Sequence, residues 1–122
     1  MSNLQKIEII NSLRNKVTLL GRAGMQPEIK NFDKDRKMAK LSIAINESYK
    51  NMKGEWVENT SWHNLVAWGS KAAYFEKNVQ KGQELMVQGK IVNRSYESDG
   101  VKKYITEIEV TEVMIIGKKS NS

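Results

Sequence analysis

The sequence predicts an all-β domain in which five strands curl into a barrel, with one short helix between the third and the fourth. Three observations carry this expectation. Five stretches suit strands, most of them alternating apolar and polar residues with period two. One stretch, residues 70–82, switches to helical spacing. Gly21 and Gly24 interrupt the first strand, where a sheet has to bend to close on itself. A chain of 122 residues makes one domain. At that size a core forms without disulfides or metals. With no cysteine, disulfide and thiolate chemistry are excluded.

The elements run as follows. Residues 1–14 read as an N-terminal extension in which Ile7 and Ile9 alternate and could add a strand or a contact. NKVTLLGRAG (15–24) is the first strand. MQPEIKNFDKDRK (25–37) holds the single proline and reads as a connection or an edge. MAKLSIAINES (38–48) sets Leu41, Ile43 and Ile45 against Ser42, Ala44 and Asn46, a half-buried strand. YKNMKGEWVEN (49–59) reads as a long hairpin loop. TSWHNLVAWG (60–69) is the third strand. SKAAYFEKNVQKG (70–82) is the helix, with Ser70 at its cap, Ala72, Phe75 and Val79 facing inward and Gly82 closing it. ELMVQGKIVNRSYE (84–97) and VKKYITEIEVTEVMII (101–116) are the last two strands, joined through the tight-turn pair Asp99-Gly100. GKKSNS (117–122) is a short polar end. Three strands, a helix and two strands is the order of a five-stranded OB barrel, a fold that often binds single-stranded nucleic acid or oligosaccharide. A small open α+β sheet is the competing arrangement.

The net charge of +6 is uneven: residues 1–40 hold nine Lys/Arg against four Asp/Glu. Such a balance suits a polyanion, although solubility alone also accounts for it. The N-terminus carries no apolar run long enough for a signal peptide or a membrane span, so no membrane partner is expected. Catalytic signatures are sparse. His63 is the only histidine, which leaves no Cys/His metal site, and no cofactor is expected. Glu107 and Glu109 share a strand face and could pair for acid/base work. The plainer reading is a solvated strand face, and no enzyme activity is expected.

The aromatic residues say more. On the third strand Trp62, Asn64, Val66 and Trp68 share one face, and His63, Leu65 and Ala67 share the other. On the fourth, Tyr96 shares a face with Lys90 and Arg94, while Leu85, Val87 and Ile91 take the opposite side. Aromatic residues are usually core. A core face would not carry Asn64, Lys90 and Arg94 without partners. The reading that fits both strands is a core of Leu65 and Ala67 with an outward platform of aromatics and cations. Unpaired bases stack on such rings while Lys and Arg track phosphates, whereas a duplex hides its base faces.

The chain resembles the bacterial single-stranded DNA-binding proteins. The matching stretches are NKVTLLGRAGMQPEIK, LSIAINESYKN, ENTSWHNLVAWGSKA and NVQKGQELMVQGKIVNRSYESDGVKKYITEIEV, in the family's order and spacing over about residues 15–116. The resemblance implies an OB barrel assembled as a homotetramer, with single-stranded DNA wrapped around it in replication, recombination and repair, in the cytoplasm at the nucleoid. It places stacking positions on Tyr49, Trp62, Trp68 and Tyr96, basic contacts on Lys16, Lys81 and Arg94, and a subunit contact near His63. Arg22, Lys50 and Lys90, with Asn64 between the tryptophans, complete the candidate path. Three features depart from the pattern. Gln26 stands where an Asp usually precedes Pro-Glu, residues 4–13 are extra, and GKKSNS replaces the family's long linker and acidic tip. That tip recruits replication and repair enzymes, so tail-mediated recruitment is not expected. An OB module for RNA, or one whose aromatics bury in a protein partner, are the alternatives; a 2′-hydroxyl preference is not legible in these residues.

Overall fold

Alternation on a half-buried strand commits each side chain to one face, so the pairing register decides what the barrel encloses. The computed structural model describes residues 1–33 and 36–117, and most of the polar end 117–122 lies outside the described residues. The elements are α1 (Asn3–Leu13), β1 (Val17–Ala23), β2 (Glu28–Asn31), β3 (Lys37–Lys50), β4 (Trp56–Trp68), α2 (Ser70–Asn78), β5 (Glu84–Ser98) and β6 (Val101–Ile115). Strand β1 pairs with β5, β5 with β6, β6 in parallel with β4, and β4 with β3. Strand β3 returns to β1 through Arg22–Ala44 and Ala23–Ile43, closing a five-strand barrel. The short β2 adds a sixth strand at the edge of β3, within the segment expected to be a connection or edge. This is the OB arrangement the sequence implies, with the helix between the third and fourth long strands.

Closure depends on close backbone approach. A side chain at Gly21 would run into the carbonyl of Ala44, where β1 passes from β5 to β3. At Gly89 it would meet the carbonyl of Glu109, beside the register shift that bends β5 against β6. Inside lie Leu41, Ile43, Leu65, Ala67, Leu85, Val87, Ile108 and Val110. Helix α2 buries Ala72 and Phe75, and Val79 follows them into the same core.

Three local expectations change. Residues 3–13 form a helix rather than a strand. Ser2 and Gln5 make a complete capping box, with the Gln5 amide donating to Ser2 Oγ at 3.1 Å and the Ser2 amide donating to Gln5 Oε1 at 2.8 Å. No residue of α1 is buried. Asn15, at φ 47°, then turns the chain into β1, its side chain donating to the Ile91 carbonyl and accepting from the Ile91 amide. The expected loop 49–59 shrinks to residues 51–55, because the strands continue as a two-sided polar hairpin. Asn51 Oδ1 accepts from the amides of Lys53 and Glu55, and Gly54 takes φ 80°. Gly69, not Ser70, is the N-cap of α2: its φ of 61° lets β4 turn directly into the helix. The Asp99-Gly100 turn is as read, with φ 53° and 76°.

Candidate nucleic-acid interface

The β3–β4 ladder runs unbroken from Met38–Trp68 to Lys50–Trp56. Its outward face therefore carries Trp56, Trp62, Asn64 and Trp68 beside Lys50, Ala44, Ser42 and Met38. Leu65 and Ala67 are buried on the other face, as the alternation requires. Trp62 is 60% exposed, Tyr96 50% and Trp68 38%. The Trp62 ring lies over Gly24, where any side chain would collide with it. Gly24 thus gives the ring a flat seat between β1 and β3, with Arg22 and Ala44 in the adjoining cross-strand row. Val66 is buried although it points outward. Its cross-strand row sets Lys40 on one side and Glu109 on the other.

Two adjoining hollows link the strands. One is lined by Met25, Glu28, Lys40, Ser42, Asn64, Ile105 and Glu107. The other is lined by Lys40, Arg94, Ser95, Tyr96 and Ile105. Lys40 and Ile105 belong to both, so a shallow groove leads from Asn64 on β4 to Tyr96 on β5. The closed barrel brings Asn64, Arg94 and Tyr96 together. Lys90 lies further along β5, opposite Glu109. Arg22 donates to the Gly82 carbonyl at 3.1 Å and faces Glu84, on the flank beyond Trp62. Lys16 is exposed between Asn15 and β1, and Lys81 is exposed between α2 and β5. Tyr49 is exposed but pairs with Val57 on the opposite face of the hairpin from Trp62. His63 is half-buried opposite Ile43 and lines a hollow with Val17, Ile91 and Ile108.

Glu107 is the correction to the reading of β6 as a solvated acidic face. It is 3% exposed, and Arg94 Nη2 lies 2.6 Å from its Oε1. That oxygen accepts no hydrogen bond from any described residue. The guanidinium thus approaches off the line of its N–H, and the contact is one of charge. Arg94 therefore holds a buried carboxylate as well as lining the groove. Arg94→Ala should lower stability by about 1–3 kcal/mol, the cost of a buried polar group left alone. Adding Glu107→Gln should restore most of that loss in urea unfolding without restoring affinity for an oligonucleotide. If the double variant recovered both, Arg94 would have no role beyond neutralising Glu107.

Four residues that the structure sets beside the candidate site, Lys40, Trp56, Phe32 and Arg36, are not among those the sequence singles out. Lys40 sits on the polar parity of β3 and lines both hollows. Trp56 lies on the same even-numbered face as Trp62 and Trp68, with Lys50 Nζ 5.7 Å from its ring. Phe32 stacks on Trp68 at 5.9 Å between centroids, and the Arg36 guanidinium lies over both rings. No local pattern announces that contact.

The profile of the single-strand binding protein family matches residues 14–116. The chain belongs to that family. It is 33% identical over 109 residues to single-stranded DNA-binding protein 1 of Chlorobaculum tepidum, covering 88% of this chain and 67% of that one. It is 38% identical over 108 residues to the single-stranded DNA-binding protein of Bacteroides thetaiotaomicron, covering 86% and 67%. Among solved structures, Plasmodium falciparum SSB in complex with ssDNA superposes with a TM-score of 0.76 at 30% identity, covering 84% of this chain and 95% of that one. A deletion mutant of the single-stranded DNA-binding protein from Thermus aquaticus superposes at 0.74 and 22% identity, covering 84% and 50%, which speaks to the fold alone. The family resemblance and the OB barrel read from the sequence are both borne out. No described helix is long and apolar enough to cross a membrane.

Proposed function

We propose that this family member binds single-stranded DNA without catalysis and with tolerance of sequence, serving replication, recombination and repair at the nucleoid. The observation that carries the reading is the outward face of β4 and β5. Trp62, Trp68 and Tyr96 stand exposed there beside Asn64, Lys40 and Arg94, on a barrel whose core needs none of the three rings. Each ring offers a surface for one base, and every base has a π-face. Lys16, Arg22, Lys50, Lys81 and Lys90 flank the path and supply phosphate contacts. Tyr49, on the far face of the β3–β4 hairpin, would meet the strand only where it passes around that arm. Residues 15–116 make up the binding domain.

The assembly is a homotetramer. Leu20, Met86 and Met114 pair directly in one row across β1, β5 and β6, and all point outward. Leu20 and Met114 are well exposed, a row of apolar side chains suited to a second copy. His63, beside Val17 and Ile91, lies at a second contact.

Wrapping on several protomers makes a prediction about salt. Log affinity falls with log salt by about 0.7 per phosphate neutralised on a single strand. The slope should therefore steepen with oligo-dT length until the strand spans the assembly. Titrations across salt at several lengths check this; a slope independent of length would mean one local site per strand and no wrapping.

A further inference from the structure

The turn between β2 and β3 brings an aromatic ring and a cation against the end of the platform. Phe32 follows the last residue of β2, and Arg36 precedes the first residue of β3. The Phe32 amide donates to the Arg36 carbonyl at 2.8 Å, and the Arg36 amide donates to the Asp33 carbonyl at 3.2 Å. These bonds clamp the two residues side by side at the foot of the turn. The Phe32 ring stacks on Trp68, with centroids 5.9 Å apart and planes inclined by 26°. The Arg36 guanidinium carbon lies 5.8 Å from the Phe32 centroid and 5.7 Å from that of Trp68.

Structural economy does not explain this cluster. Phe32 is 46% exposed and Trp68 38%, so neither ring is spent on the core. Beside Trp68, its cross-strand partner Met38 is itself buried. An exposed pair of rings with a cation over both has the three components that a stacked nucleotide uses: two adjoining π-surfaces and a fixed positive charge. Arginine suits the place better than lysine, because its planar fork both stacks and grips a phosphate oxygen pair. The neighbouring Lys37 is already engaged with Glu76, which leaves Arg36 to meet the backbone.

Resting on the single-stranded DNA reading above, we propose that Phe32, Trp68 and Arg36 form one stacking subsite, in which Phe32 and Trp68 receive a base and Arg36 binds its phosphate. The path of the strand then continues from Trp68 onto Phe32 and Arg36 instead of ending at Trp68. Phe32 is a binding residue in its own right, not a brace for the tryptophan.

The test compares Phe32→Tyr, Phe32→Leu and Arg36→Gln in the full chain with wild type, using oligo-dT across a range of salt. Both positions are exposed, so thermal unfolding should be unchanged. Phe32→Tyr should bind as wild type. Phe32→Leu, which still packs on Trp68 but offers no π-surface, should bind roughly tenfold more weakly, the scale of one stacked base, with the salt slope unchanged. Arg36→Gln should lower the slope by about 0.7, one phosphate contact. Wild-type affinity and slope in both Phe32→Leu and Arg36→Gln would overturn the subsite while leaving the function standing. Wild-type affinity in Phe32→Leu alone would reduce Phe32 to a brace and overturn its role. Failure of the wild-type chain itself to bind oligo-dT would overturn the reading beneath it as well.

Discussion

Replacing Trp62 and Trp68 together by alanine should weaken oligo-dT binding by about 2–6 kcal/mol, two stacking contributions of roughly 1–3 kcal/mol each. The two rings are six positions apart on an unbroken strand, about 20 Å at the usual rise, so their losses should add. Each single variant should show about half the effect. The fold should survive. Trp62 lies on top of Gly24 rather than inside the barrel, and Trp68 keeps more than a third of its surface in solvent. Fluorescence anisotropy of labelled oligo-dT measures the loss, and urea unfolding checks the fold. Near-wild-type affinity in a folded double variant would remove the platform; unfolding would return both rings to a core role.

Phe75→Ala should have the opposite profile. Phe75 is fully buried, and with Ala72 and Val79 it fills the barrel interior from the side of α2. Deleting a ring in such a place costs about 3–5 kcal/mol, the transfer loss plus the cavity left behind. The urea midpoint should fall by that amount with the slope of the transition unchanged. At temperatures where the variant is folded, affinity for oligo-dT should hold, because Phe75 lines neither hollow of the groove. A stability change under about 1 kcal/mol would mean that the site collapses around the loss and that α2 is dispensable to the barrel.

The split of β4 into a buried face of Leu65 and Ala67 and an exposed face of Trp62, Asn64 and Trp68 was legible because a strand's alternation is local and strict. So were the Asp99-Gly100 turn, where left-handed geometry demands those residue types, and the inward face of α2. What was not legible depends on which strand comes to lie beside which. Lys40 matters because barrel closure carries β3 toward β5 and β6, setting it in the same groove as Arg94 and Tyr96. Glu107 reads as solvated because it shares a strand face with a second acid, Glu109; its burial follows from the barrel, which sets Arg94 against it. The Phe32–Trp68 contact joins residues far apart in sequence, and nothing around either one signals the other. The N-terminal helix is a different failure. The Ser2–Gln5 capping box is a local helix signal, and the alternation of Ile7 and Ile9 competes with it. Tyr49 has its stacking role from the resemblance alone, and the unbroken β3–β4 register sets it on the opposite face of the hairpin from Trp62.

The proposed function requires that the exposed aromatic face take unpaired bases. The most direct measurement is intrinsic tryptophan fluorescence titrated in parallel with oligo-dT and with duplex DNA of equal length at matched salt. Stacking predicts a saturable quench with oligo-dT, and with duplex only a weak, salt-sensitive response, because paired bases offer no free face. Equal or tighter binding of the duplex, or saturation with oligo-dT that leaves the fluorescence unchanged, would contradict the claim.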